Sequence, residues 1–272
     1  MPIRRIFSPP LHPGAVTLDA SESHHARDVL RLTEGATVEL FDESGQVATV
    51  RVMALHPSLI CDVTDIREGA SDRLGVHVAS AVPKGDRAEW MIEKLSELGV
   101  ARFTPLRTAR SVVHPEGKGK LDRWKRIAVE AAKQSRRAGL MRIEELTDVR
   151  SIAVERAAVL STRDGAKPLG AIVRDMFSFD PPPSEGGARG GGESEAEKAS
   201  TDGSPTHPTL PLKGGGLMLL VGPEGGWTEE ELDAFRAKGV LEASLTDTIL
   251  RIETAAVVAS GIVRCALMEE RE

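Results

Sequence analysis

The first part of the chain carries short runs in which apolar residues alternate with polar ones or stand together. "TVELFD", "QVATVRVMAL" and "LICDVTDI" read as strands, and the turn-prone "EGA", "ESG" and "HPS" separate them. A helical piece, "ESHHARDVLRL", precedes them. Residues 1–70 are therefore expected to form a small barrel-like β domain. From Leu74 the period changes. "LGVHVASAV" is a strand of the buried type, and "GDRAEWMIEKLSELG" then puts Met91, Leu95 and Leu98 on one helical face, with Gly99 as C-cap. "VARFTPL" is a second strand. "KLDRWKRIAVEAAKQSRRAG" is a helix with Trp124, Ile127, Ala128 and Ala131 on one face and Gly139 at its end. "AAVLST" is a third strand. Strand and helix alternate, which predicts an α/β domain with a largely parallel sheet over 74–272.

Residues 181–216, rich in Pro, Gly, Ser and charge, interrupt that pattern. They hold too few large apolar groups to offset their ordering entropy, so a disordered insertion inside the α/β domain is expected. The pattern resumes at "LMLLVGPEGG".

Composition narrows the function class. The chain has 272 residues, 40% hydrophobic and 28% charged, with a formal net charge of −6, as a soluble globular protein would. "MPIRRIFSPPLHPG" shows no secretory signal, and no apolar run approaches the ~18 residues of a membrane span. Cys61 and Cys265 lie far apart without CxxC spacing, which argues against a zinc site and fits a reducing cytoplasm. His24 and His25 point to different helix faces and have no acidic partner at ligand spacing, so no metal is expected. An acidic chain can bind nucleic acid only through a local patch. Between Arg102 and Arg142, twelve basic residues face three acidic ones. That excess favours a phosphate-backbone footprint over a merely solvated helix face. The chain has no Tyr, so a broad base-stacking platform is not expected.

Two stretches carry candidate chemistry. In "VGPEGGWTEEEL", Val221–Leu232, glycines permit a close ligand approach, and Thr228 with Glu231 makes a capping box that starts a helix at Glu229. The acidic first turn opposes a phosphate, and the spacing fits neither GxGxxG nor GxxxxGK[ST]. The turn alone is open between a ligand cradle and an ordinary connection. In "LTDTILRIETA", Leu245–Ala255, Arg251 and Glu253 precede a small-residue helix; taken alone they read as a structural ion pair at a helix start.

Together, "LLVGPEGGWTEEEL" and "LTDTILRIETA" resemble the SPOUT class of methyltransferases, and more closely the 16S ribosomal RNA uracil-N3 methyltransferase family (RsmE). "HHARDVLRL", "KGDRAEWMIEKLSELGV" and "RWKRIAVEAAKQSRR" fall in the family's order. The resemblance implies a PUA-like β-barrel followed by an α/β domain with a deep trefoil knot. It also implies S-adenosylmethionine as cofactor, ribosomal RNA within the small subunit as partner, and a homodimer in the cytoplasm. Carried over by motif, the cofactor residues are Leu160, Ser161, Val221, Gly222, Glu224, Gly225, Gly226, Leu245, Ile249, Leu250 and Thr254. Arg251, Glu253 and Glu224 are the catalytic candidates, and Arg4, Arg5, Arg31, Lys84, Arg136 and Arg137 the RNA contacts. The family's "LGxRILR" has Thr246 and Thr248 here in place of its Gly and Arg, which leaves the shape of that loop in question. A ribose 2′-O methyltransferase of the same class, or a non-enzymatic RNA-binding or assembly protein, are the competing readings.

Overall fold

The computed structural model describes residues 3–69, 75–115, 117–177 and 216–269. Two sheets organise them. The first holds β1 (Arg4–Phe7), β2 (Gly14–Thr17), β3 (Thr37–Phe41), β4 (Gln46–Ala54), β5 (Ile60–Val63) and β6 (Arg67–Glu68). Its order is β1-β3-β4-β5-β2, with β6 on β4. The pairs are antiparallel except β1 with β3. Alternate residues of these strands point inward, so Ile6, Val16, Val38, Leu40, Val50 and Cys61 form one buried cluster. Helix α1 (Ala20–His24) runs into a π-helical turn, His25–Val29, and Asp19 caps it by accepting from Glu22 N. The three expected strands and the helix are present; β1 and β2 add to them, short pieces flanking the proline-rich "SPPLHP".

The second sheet is parallel throughout. It comprises β7 (His77–Ser80), β8 (Arg102–Arg107), β9 (Arg142–Ile143), β10 (Thr147–Asp148), β11 (Ala157–Leu160), β12 (Lys167–Pro168), β13 (Met218–Val221) and β14 (Leu241–Ser244). The order is β10-β8-β7-β13-β11-β14-β12, with β9 on β8. β13 thus enters between β7 and β11, and the chain then crosses to the far side of β11 as β14. Five helices flank this sheet: α2 (Arg87–Glu97), α3 (Lys118–Ser135), α4 (Leu169–Phe177), α5 (Glu229–Ala237) and α6 (Ile252–Glu269). Met91 and Leu95 of α2, Trp124 and Ala128 of α3, and Ala256 and Ala259 of α6 meet Val78, Phe103 and Leu219 in the largest core cluster. Small residues on α6 let it approach the sheet closely.

One helix end differs from expectation. α3 stops at Arg136, which takes a left-handed φ of 56°, and not at Gly139. Gly139 serves a different purpose. A Cβ there would come within 3.4 Å of the Gly45 Cα, so the backbones of the two halves nearly touch. This seam also carries Phe41, Val47 and Ala132, packed with Phe7, Ala138 and Leu140. Lys133 of α3 reaches across to Glu22 of α1 at 2.5 Å, and also holds Glu130 at 2.9 Å. Burial works against the Lys133 charge, but the bonds to Glu22 and Glu130 prevail and hold its pKa above the usual value. The expected insertion at 181–216 lies outside the described residues, apart from Gly216.

Candidate active site

β13, β11 and β14 are adjacent and parallel, so the loops leaving their carboxyl ends meet at one edge of the sheet. Open α/β sheets bind ligands at that edge. Residues 160–163, 221–227 and 245–250 enclose a cavity of about 350 Å³ there, the size of a small-molecule site.

The middle loop is a rigid turn. After the fully buried β13, Gly226 takes a φ of 69° and donates its N–H to Pro223 O at 2.8 Å. Arg110 Nη1 donates to the carbonyls of Gly225 at 2.6 Å and Trp227 at 3.3 Å, holding the turn from outside. Gly222 is small for another reason: a Cβ there would lie 3.0 Å from the Trp227 indole. That indole donates Nε1–H to Leu160 O at 3.0 Å and packs edge-on against Phe235. Trp227 therefore staples the β13 loop to the end of β11.

The acidic helix start resolves into two kinds of glutamate. Thr228 and Glu231 form the expected capping box, and α5 begins at Glu229. Glu231 is buried and also accepts from Ala109 N at 2.8 Å, so it is structural. Glu229 and Glu230 are exposed, and Glu229 lies on the cavity wall.

In the third loop, Thr246 Oγ1 donates to Thr248 O at 2.8 Å, so the hydroxyl closes the turn on itself. Among the described residues, only Arg31 and Arg136 have positive φ without being glycine. Thr246 thus occupies backbone that a β-branched residue tolerates, and it lines the cavity with Thr248.

Ten of the eleven expected cofactor residues line this cavity: Leu160, Ser161, Val221, Gly222, Glu224, Gly225, Gly226, Leu245, Ile249 and Leu250. Thr254 does not. Ile252 and Ala255 present the cavity face of α6, and Thr254, two residues from Ile252, turns away from it. Of the catalytic candidates, Glu224 is exposed on the wall. Arg251 is exposed between Leu250 and Ile252, both wall residues. Glu253 is buried and does not pair with Arg251 as the ion-pair reading required. Residues two apart on a helix point to different sides, and the Glu253 carboxylate instead faces Arg87 Nη1 at 3.5 Å. Its Oε2 is sealed from solvent with no hydrogen-bond partner.

The RNA candidates also divide. Arg4, Arg31, Lys84 and Arg136 are exposed, Arg136 donating Nη2 to Ile3 O at 3.1 Å. Arg5 and Arg137 are committed inside the protein, against expectation. The Arg5 side chain is 5% exposed, bridges to Glu39 at 2.9 Å and lies over the Phe41 ring. Arg137 Nη1 donates to Ser96 O, near the carboxyl end of α2, and to Val100 O just beyond it, both at 2.9 Å. The wall also holds residues that were not foreseen for the cavity, Trp227, Arg163 and Glu229 among them. The Trp227 position, between a glycine turn and a capping box, was a usable signal. Arg163 sits in the polar turn "STRDGA", which carries none.

Comparison with known proteins gives a consistent picture. A family model described as an RNA methyltransferase domain matches residues 70–174 and 193–264, and one described as an RNA methyltransferase PUA domain matches 18–59. The chain is 30% identical over 244 residues to ribosomal RNA small subunit methyltransferase E of Bacillus subtilis (strain 168), covering 88% of this chain and 85% of that protein. It is 33% identical over 260 residues to the Mycobacterium tuberculosis protein of the same name, covering 92% and 86%. A Neisseria gonorrhoeae ribosomal RNA small subunit methyltransferase E bound to S-adenosyl methionine superposes with a TM-score of 0.72 at 23% identity, over 97% of both chains. A Legionella pneumophila methyltransferase with bound SAM gives 0.74 at 24% identity, over 98% of both. At these identities the two structures speak for the fold.

Proposed function

The chain belongs to the ribosomal RNA small subunit methyltransferase E family, and from that premise we propose that it methylates N3 of a uridine in 16S ribosomal RNA, with S-adenosylmethionine as donor. Its fold is α/β, a SPOUT-type trefoil-knotted methyltransferase domain with a small N-terminal PUA-like β-barrel. We take 1–70 as the RNA-holding barrel and 74–272 as the methyltransferase domain.

The observation that carries the cofactor reading is the chemistry of the cavity wall. Leu160, Val221, Leu245 and Leu250 offer apolar contact for an adenine, while Glu224 and Glu229 add carboxylates to the wall. A polyphosphate would meet those carboxylates unfavourably; S-adenosylmethionine has no phosphate and carries a positive sulfonium. Bound there, it supplies an electrophilic methyl group.

The protein's own residues must activate the base. Uracil N3 carries a proton and is a poor nucleophile until that proton leaves. Glu224, the candidate carboxylate that lies on the wall, accepts it. Arg251, exposed beside two wall residues, stabilises the charge that develops on a uracil oxygen. Glu253 cannot reach the base with its sealed oxygen and instead anchors Arg87. Arg251→Ala should lower kcat roughly 10²- to 10³-fold, the scale of one lost charge-stabilising donor, with melting unchanged. Near-normal turnover in that folded variant removes Arg251 from the mechanism.

For the partner, Arg4, Arg31 and Lys84 contact RNA phosphates, and the enzyme works as a cytoplasmic homodimer on the small ribosomal subunit. The test is methyl transfer to free 16S RNA and to assembled small subunits, with the modified nucleoside identified by mass spectrometry. The expected product is 3-methyluridine. A methyl group on a ribose 2′-oxygen would refute the N3 assignment.

A further inference from the structure

Among the described residues, Arg163 is the one basic side chain on the wall of the cofactor cavity. It sits in the turn after β11, where its own N–H donates to Ser161 Oγ at 3.2 Å and its carbonyl accepts from Ala166 N at 3.3 Å. Gly165, at a φ of 90°, lets that turn close. The guanidinium does not point idly outward. Its Nη1 meets Glu229 Oε2 at 2.8 Å, and Glu229 lines the same cavity from the first residue of α5. The pair therefore reaches from the β11 loop to the α5 start, across the cavity.

We infer that Arg163 recognises the α-carboxylate of the amino-acid end of S-adenosylmethionine, exchanging Glu229 for it. The inference rests on the cofactor reading above and deepens it. Three features support the exchange. First, the wall carries both chemistries: apolar side chains at Leu160, Leu245 and Leu250, and opposite charges at Arg163, Glu224 and Glu229. A ligand with a flat apolar base at one end and a zwitterion at the other can use both. Its carboxylate suits the one cation, and its ammonium suits the carboxylates. Second, the present bridge is easily given up. The side chains of Arg163 and Glu229 are 44% and 73% exposed, and such solvent-screened surface pairs add little to stability. A planar guanidinium forms its stronger, two-pronged bond with a carboxylate held in a cleft. Third, the released Glu229 remains favourably placed, because a carboxylate in the first turn of α5 interacts well with the helix dipole.

The test is calorimetric, on the full chain, with two ligands. S-adenosylhomocysteine carries the amino-acid end, and methylthioadenosine keeps the adenosine and sulfur but lacks that end. Arg163→Gln should weaken S-adenosylhomocysteine roughly ten- to a hundredfold and leave methylthioadenosine at its wild-type affinity. Arg163→Lys should recover part of the loss. The methylthioadenosine arm also reports that the variant's cavity is intact. Equal weakening of both ligands would show a change of loop shape and overturn the assignment. Unchanged S-adenosylhomocysteine binding in Arg163→Gln would overturn it as well. Wild-type protein that binds neither ligand would instead overturn the cofactor reading itself, and this inference with it.

Discussion

Lys133→Met should cost about 3–5 kcal/mol of stability, the usual cost of stranding one partner of a buried ion pair. The side chains of Lys133 and Glu22 are 7% and 10% exposed, whereas Glu130, the other partner, is 59% exposed. Glu130 can turn to water, so its loss of the lysine costs only a few tenths of a kcal/mol. Glu22 cannot. Its Oε2 already lacks a hydrogen-bond partner, and removing Lys133 leaves the whole carboxylate sealed between helix and barrel without a counter-charge. Methionine keeps most of the lysine stem's volume, so packing contributes little to the difference. Glu22→Gln should be milder, because Lys133 retains Glu130. The double variant Lys133→Met, Glu22→Gln should regain most of the loss, giving a coupling energy on the order of 2–3 kcal/mol. Urea melts at pH 7 measure all four corners of the cycle. Trp124, fully buried on the same helix, supplies the fluorescence. A Lys133→Met cost below about 1 kcal/mol, or a double variant as weak as that single one, would refute this account of the seam.

The other expectations concern a turn, a histidine and the RNA face. Gly226→Ala should cost roughly 1 kcal/mol from backbone strain alone, since a Cβ at that position meets nothing within 4 Å while φ is 69°. Cofactor affinity should fall with it; unchanged melting and unchanged calorimetric binding would count against a strained turn. His77 is held at a pKa of about 4, by burial first and then by Arg102, and its ring bonds Thr104 Oγ1 at 2.8 Å. The folded pKa is depressed, so between about pH 4 and 6.5 the unfolded chain binds the extra proton and stability rises with pH, by at most about 3 kcal/mol. In His77→Gln, denaturant melts at several pH values should show that rise flattened; a slope equal to wild type would exclude His77 as its source. Arg4→Gln, Arg31→Gln and Lys84→Gln should each reduce the salt slope of RNA binding by about one. Arg137→Gln should lower stability instead, and a salt-slope change in it without destabilisation would contradict its position at the end of α2.

What the sequence disclosed and what it withheld follow a physical line. The β13 pocket loop was legible because it is a backbone device with a local signature. GPEGG announces a turn, Thr228 and Glu231 announce a helix start, and both stand where expected, with Gly226 in left-handed backbone. Helices α2 and α3 were legible from apolar spacing and α6 from its run of small residues, while β9, β10 and β12, of two residues each, are too short to carry a period. The charged side chains were not legible in the same way. Arg5 and Arg4 are neighbours in sequence, yet alternation along β1 sends one into the seam and leaves the other in water. Arg136 and Arg137 part similarly at the helix end, and Glu253 has its cation on α2, far away in the chain. A guanidinium is long and can satisfy distant carbonyls or carboxylates, so its commitment depends on tertiary neighbours that no local pattern encodes. Thr246 makes the same point from the other side. The family pattern places glycine there, but the backbone is ordinary and the hydroxyl closes the turn onto Thr248, so the loop reaches its shape by a side-chain bond. A motif's departure therefore weakens a functional reading only where the replaced residue was required by φ or by a close contact. At position 246 the backbone is not left-handed; at 222 an added Cβ would stand 3.0 Å from the Trp227 indole, a tight contact that favours glycine.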